Sequence, residues 1–258
     1  MKESDIRLEI SDGVASIILA APRRRNALTV EMSNAVIEAC DRVDGRPDVA
    51  AVVIRAEGPT FCAGADRSLL LAATERTDEA RSDLATIYRS FERVRELATP
   101  TIAAVRGYAI GAGVNLALAA DVRIVADDAL LVSGFTALAL HPGGGHAALI
   151  ADRADATTTA AMALFGQPLD AAHAVRIGLA WESVGVEQLD ARALEIARGA
   201  GVDGELARAV KASLRRELGP PRASIEEAMR LEAERQWWSL GRSSVPQRLQ
   251  AARKPERA

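Results

Sequence analysis

The stretch PTIAAVRGYAIGAGVNLALAADVRIVA, residues 100–126, decides how the rest of the chain is read. Thr101 to Val105 is short, apolar and rich in β-branched side chains, the composition of a buried strand. Gly107, Gly111 and Gly113 break that pattern. The run from about Ala112 to Ala120 is rich in Ala and Leu and predicts a helix; Asp121 closes it, and Val122 to Val125 resumes a strand. A glycine turn that opens a helix leaves backbone N–H groups unpaired, with the helix dipole behind them. Such a turn can hold an anion, or an oxygen that becomes one during a reaction. Two other readings compete. A dinucleotide fingerprint needs G-x-G-x-x-G, yet the third position after Gly111 and Gly113 is Leu116, and no acidic residue ends a second strand at the usual distance. The plainer alternative is that the glycines only let a helix pack closely on a strand. Arg106, Asn115 and the crowded glycines argue against a membrane span.

On the N-terminal side, Ser11-Asp12-Gly13 between two apolar runs predicts a hairpin. Thr29 is placed to cap a helix over residues 30–43. Residues 49–55 form a continuous apolar strand, and a turn then leads into Phe61-Cys62-Ala63-Gly64-Ala65-Asp66. Residues 67–79 are polar and irregular, which predicts a mobile segment, and residues 82–97 read as an amphipathic helix. On the C-terminal side, Leu130 to Val132 is a short strand, and His141-Pro142-Gly143-Gly144-Gly145-His146 is a second glycine turn opening a helix. Helices over 157–165 and 170–176 and a strand over 181–184 follow. After Glu187 the pattern is almost wholly helical: 189–198, 204–218, 224–240 and 245–252, punctuated by Gly219-Pro220-Pro221. This composition shift predicts two regions, a layered α/β body over 1–195 and a helical region over 196–258.

With 258 residues, about half of them apolar and a quarter charged, the chain can bury a sizeable core. A net charge of −3 argues against a broad nucleic-acid-binding field. The basic residues at the C-terminus (Arg248, Arg253, Lys254, Arg257) have no interleaved aromatics and read as a solvated tail. Cys40 and Cys62 give neither a disulfide framework nor a metal spacing. The N-terminal MKESDIRLEI has no apolar signal core, so the expectation is a cytoplasmic protein.

Together these segments resemble the crotonase, or enoyl-CoA hydratase/isomerase, superfamily over nearly the whole chain. The matching residues are Arg25-Asn26-Ala27-Leu28, Phe61 to Asp66, Ala103 to Ala109, Leu116 to Val125, Pro142 to Gly145, and Gly178-Leu179-Ala180. The resemblance implies a spiral of strand–strand–helix repeats with a C-terminal helical trimerisation region, and a homotrimer or homohexamer. It implies acyl-CoA or enoyl-CoA thioesters as ligands, with coenzyme A as part of the substrate and no separate cofactor. It places an oxyanion hole at the N–H groups of Ala65 and Ala112, and the coenzyme A moiety against Arg25, Ala27, Ala63 and Asp66. Removing a proton beside a thioester, or adding a nucleophile to its conjugated double bond, puts negative charge on the carbonyl oxygen. Preformed donors stabilise that charge, and losing one costs about two to three powers of ten in rate. Arginines 23 to 25 suit phosphate recognition.

The chain departs from the family where hydratases carry two glutamates. Asn115 and Phe135 stand in their places. Asn115 can orient a water or a carbonyl but cannot take a proton at neutral pH. General acid–base help is worth about two to four powers of ten, so ordinary hydration should be crippled. Replacement bases are His141, which precedes Pro142, then His146 and Asp66. Asp66 also suits a loop-fixing role, and Cys62 a small buried residue. Two alternatives stand beside hydration: an isomerase, thioester hydrolase or decarboxylase that uses the same enolate stabilisation with His141 or Asp66 as proton donor, and a non-catalytic acyl-CoA- or lipid-binding homologue that kept the pocket and lost the acid–base pair.

Overall fold

The computed structural model describes residues 5–201, 203–218 and 222–251. The hairpin forms as expected: β1 (Ile6–Ser11) and β2 (Val14–Leu19) pair antiparallel around Asp12 and Gly13, both at positive φ. Helix α1 (Val30–Asp44) starts at Thr29, whose side chain accepts a hydrogen bond from the Met32 N–H at 3.2 Å. Strands β3 (Ala51–Ala56) and β4 (Thr60–Cys62) follow, then helices α2 (Arg67–Ala72) and α3 (Asp78–Glu96). The central stretch supplies β5 (Thr101–Val105), β6 (Tyr108–Ile110), α4 (Ala112–Ala119) and β7 (Val122–Ala126). After it come β8 (Leu130–Val132), α5 (His146–Ala151), α6 (Ala156–Ala163), β9 (Leu169–Asp170), α7 (Ala171–Arg176), β10 (Glu182–Val184) and α8 (Leu189–Arg198). Helices α9 (Gly204–Leu218), α10 (Arg222–Leu240) and α11 (Ser244–Ala251) end the described chain. Gly219-Pro220-Pro221 and the basic residues 253, 254 and 257 lie outside the described residues.

The path is a ββα spiral, as the resemblance implies. In three successive units (β3 then β4, β5 then β6, β7 then β8) the first strand joins a six-stranded sheet and the second a four-stranded one. The orders are β1-β2-β3-β5-β7-β10 and β4-β6-β8-β9. Within the sheets β2, β3, β5, β7 and β10 run parallel, as do β4, β6 and β8. Strands β2 and β5 are buried along their whole length, because helices cover both faces of the large sheet. One apolar cluster joins that sheet to α1, α3 and α4, and a second packs Leu189, Ala193 and Ala197 of α8 on the other face. The expected division at residue 195 therefore falls inside a helix that packs on the sheet. The helices beyond it begin at Gly204.

Helix α4 has no solvent face: all eight of its residues are buried. Its end is closed by Arg123, whose guanidinium donates to the carbonyls of Ala120 (2.7 Å) and Leu179 (2.6 Å). Burial draws that guanidinium down to about 10. Asp121 accepts from the Thr101 N–H and hydroxyl, each at 2.8 Å, and pairs with Lys211 of α9 at 2.5 Å.

Some elements differ from the sequence reading, β4 and β9 among them, which it did not read as strands. Residues 67–79 are not an irregular segment but contain α2 and the start of α3. Asp66 caps α2, accepting from the Ser68 N–H at 2.8 Å. Six residues are too few for helical periodicity to show. Strand β6 was hidden within the glycine turn, since three residues between Gly107 and Gly111 carry no pattern of their own. Pairing with β4 and β8 makes them a strand.

Candidate functional site

Parallel strands β4, β6 and β8 end at the same edge, and the residues after each close around one cavity of about 900 Å³. Ala63 to Arg67 follow β4, Gly111 and Ala112 follow β6, and Ser133 to Phe135 follow β8. Arg23, Arg24, Arg25 and Ala27 form one rim, with Arg24 held to Asp5 at 2.7 Å. Leu84 and Ile87 of α3, with Leu138 and Leu140, make an apolar wall. Gln236 of α10 and Leu249 of α11 complete the lining, and Gln236 is hydrogen-bonded to the Tyr88 hydroxyl.

Ala65 and Ala112 stand side by side because two glycines allow it. A Cβ on Gly64, which lies at φ +87°, would come within 2.6 Å of the Ile110 carbonyl and 3.5 Å of the Ala112 nitrogen. One on Gly113 would overlap the Cys62 carbonyl. Ala112 is the first residue of α4, so its N–H has no partner within the helix. Ala65 sits in a short parallel bridge with Leu28, where Leu28 donates to Gly64 and Asp66 donates to Leu28. Among the described residues, neither the Ala65 nor the Ala112 amide donates a backbone hydrogen bond.

Of the residues singled out from sequence, Arg25, Ala27, Ala63, Ala65, Asp66, Ala112 and Phe135 all line this cavity. Asp66 is the only carboxylate in the lining among the described residues. Its Oδ1 is occupied by the Ser68 N–H and hydroxyl, at 2.8 and 2.5 Å. Asn115 lies just behind the wall, buried in the first turn of α4. His141 is absent from the lining. Its Nδ1 faces the Pro142 carbonyl at 2.6 Å, its N–H donates to the Ser239 hydroxyl at 3.0 Å, and its carbonyl accepts from Gln236. The second glycine turn is thus tied to α10, and Gly143 is its one residue in the lining. Cys62 is fully buried, and burial pushes its thiol up to about 12, which suits a core residue. No group of His, Cys, Asp and Glu among the described residues could hold a metal ion.

The sequence reading left the partners of His146 unidentified. This fully buried histidine starts α5 and sits between Asn115 and Ser133. The Asn115 amide nitrogen donates to the Gly143 carbonyl at 3.0 Å, which turns Asn115 Oδ1 toward His146 Nδ1 at 2.6 Å. An amide oxygen only accepts, so the proton is assigned to Nδ1. His146 Nε2 is then the bare nitrogen, 2.7 Å from the Ser133 hydroxyl, which donates to it. Phe135 packs against the imidazole in a T-shaped contact, with centroids 4.9 Å apart. Burial draws the imidazole down to about 3, so it is neutral at pH 7. Glu232 of α10 caps α5, accepting from the N–H groups of His146 (2.7 Å) and Ala147 (3.1 Å), and burial raises its carboxyl. No local pattern joins Ser133, Asn115 and His146. Their only signal is a polar residue beside each of the three glycine-containing segments.

Comparison with known proteins gives a consistent picture. The family model described as enoyl-CoA hydratase/isomerase matches residues 9–236. The chain is 42% identical over 251 residues to the "Probable enoyl-CoA hydratase EchA14" of Mycobacterium tuberculosis H37Rv, covering 96% of each. It is 32% identical to the enoyl-CoA hydratase EchA19 of the same organism, over 77% of this chain and 74% of that one. Among solved structures, an enoyl-CoA hydratase/isomerase from Xanthobacter autotrophicus Py2 superposes with a TM-score of 0.87 at 29% identity. That match covers 97% of this chain and 93% of the other.

Proposed function

Since this chain belongs to the enoyl-CoA hydratase/isomerase family, we propose that its cavity binds an acyl-CoA thioester and holds the thioester oxygen between the N–H groups of Ala65 and Ala112. The observation that carries this reading is the pair of undonated amides set side by side in one cavity. Charge that develops on the oxygen meets donors already in place, so little reorganisation is needed as the reaction proceeds. The arginine rim at 23 to 25 takes the phosphates of coenzyme A, and the apolar wall takes the acyl chain. Coenzyme A enters as part of the substrate. Ordinary two-carboxylate water addition does not fit the lining, where Asp66 caps α2 and Phe135 presents only a ring.

Subunit association belongs to the same proposal. Leu206, Val210 and Leu214 form an exposed apolar stripe along α9, and Leu231 and Trp238 are exposed on α10. These faces support a homotrimer or a pair of trimers. Trp237, by contrast, packs inside against Arg81, 4.8 Å from its ring centroid.

The test is calorimetric titration with short-, medium- and long-chain acyl-CoA, run beside loss of enoyl-thioester absorbance. Ala112→Pro is the informative variant, because proline is tolerated at the first helical position, removes the N–H and sets its ring Cδ where the oxygen would bind. Acyl-CoA should bind, and any thioester consumption should fall about 100- to 1,000-fold in the variant. Failure of every acyl-CoA to bind would overturn the proposal. Binding with no consumption would assign the cavity to acyl-CoA binding alone, the reading that Phe135 in the wall favours.

A further inference from the structure

Resting on the acyl-CoA reading above, we propose that Ser133, His146 and Asn115 form a nucleophile–base–orienter unit that takes the acyl group from the thioester onto Ser133 and then releases it to water. Three observations carry this. Hydrogen bonds of 2.7 and 2.6 Å connect the three side chains in that order, and the fixed Asn115 amide leaves His146 Nε2 free to accept the Ser133 proton. Ser133 belongs to the cavity lining with only 1% of its surface exposed, its hydroxyl turned to His146, which is sealed behind it by Phe135. Finally, the register places the serine beside the oxygen-binding amides. Ile110 pairs with Val132 in the parallel β6–β8 ladder, and the Gly111 N–H continues it to the Val132 carbonyl at 2.9 Å, so Ser133 comes level with the Gly111–Ala112 step.

This is the spatial arrangement that nucleophilic acyl transfer requires: an alcohol on a base, a base on an orienting group, and oxyanion donors on the other side of the carbonyl. In the first half-reaction the Ser133 oxygen bonds to the thioester carbon while its proton passes to His146 Nε2. The tetrahedral oxyanion sits at Ala65 and Ala112. The C–S bond then breaks, and the departing thiolate takes the proton from Nε2, giving free coenzyme A and an acyl ester on Ser133. In the second half, water attacks the ester and gives its proton to Nε2. The Ser133 oxygen leaves and recovers that proton, releasing the carboxylic acid. No redox change occurs, and water is the only co-reactant.

The orienting group sets the pace. Asn115 fixes the imidazole but brings no charge to stabilise its protonated form, and burial keeps that form costly. Slow turnover with a long-lived acyl ester is therefore expected.

The experiment uses saturated acyl-CoAs (acetyl, hexanoyl and palmitoyl), which cannot be hydrated. It measures release of coenzyme A thiol, intact-protein mass, and binding by calorimetry. The unmodified chain should release thiol and gain one acyl mass at Ser133. Ser133→Ala should cut release about 100-fold or more and abolish the adduct while binding stays within about threefold. Ser133→Cys, whose thiol ionises more readily, should restore the adduct. Asn115→Leu should lower kcat with little change in KM. Thiol release by Ser133→Ala at the unmodified rate would overturn the proposal. So would acyl-CoA binding without thiol release or adduct in the unmodified and Ser133→Cys proteins; both outcomes leave the acyl-CoA reading intact. Absence of acyl-CoA binding would overturn that reading and this one with it. Should Ser133→Ala fail to fold, the adduct mass on the unmodified chain decides alone.

Discussion

Acidification is expected to weaken this fold through His146. An unfolded histidine titrates near 6.5, whereas burial draws His146 down to about 3 in the folded chain. Between those values the unfolded chain holds a proton that the folded chain refuses, so stability rises with pH across the window and is fully present above about 6.5. Each pH unit inside the window is worth about 1.4 kcal/mol at full protonation of the unfolded state, so acidifying from pH 7 to 5 removes on the order of 2 kcal/mol. The assay is urea unfolding at pH 7.5, 6 and 5, comparing the unmodified chain with His146→Gln. The variant loses the Phe135 contact and begins less stable, but its stability should fall less steeply with acid. Glu232, the carboxylate bonded to the His146 and Ala147 amides, works in the opposite sense. Its raised carboxyl favours the folded state at low pH, and that contribution is lost as pH rises through its folded value. It contacts backbone only at His146, so it is common to both proteins and cancels in the difference. Parallel pH profiles would refute the reasoning.

Gly113→Ala sets a methyl group against the Cys62 carbonyl, so it should prise α4 from the Cys62 to Asp66 segment. A loss of about 1–3 kcal/mol in chemical denaturation is expected, together with weaker acyl-CoA binding in calorimetry. Lys211→Ala removes the cation from Asp121 and loosens α9 from the sheet, with a cost of about 1–3 kcal/mol by thermal unfolding, since Asp121 keeps its Thr101 bonds. Neither Cys62 nor Cys40 should react with a thiol reagent in the folded chain, because both are buried and both thiols are pushed up to about 12. Both should label once urea is added.

Elements with their own local signal were legible in the sequence. The Ser11-Asp12-Gly13 turn, the Thr29 cap and the long amphipathic helices each need only a dozen neighbouring residues, and α8 and α9 occur where their patterns begin and end. The glycine turn at 111–113 could be read as a donor site, but its partner Ala65 came only through resemblance. Their adjacency depends on the β4–β6 pairing, 47 residues apart in sequence, which no local pattern records. The histidines show the limit most clearly. His141 and His146 flank the same turn and look alike in the sequence. One is bonded to Ser239 on a late helix, and the other is sealed between Asn115 and Ser133. Residue type identified the candidates, and long-range topology separated them.

Gln236 and Leu249 give the cavity a wall made from the chain's last described helices. A ligand that touches this wall necessarily holds α10 and α11 in place, and the docked helices hold the ligand by the same free energy. Reciprocity of this kind makes ligand affinity and tail attachment one measurement seen from two sides. Saturating acyl-CoA should therefore slow proteolysis and hydrogen exchange in the C-terminal helices as well as at the glycine turns. A fusion or truncation at this end of the chain would report itself first as a change in ligand affinity.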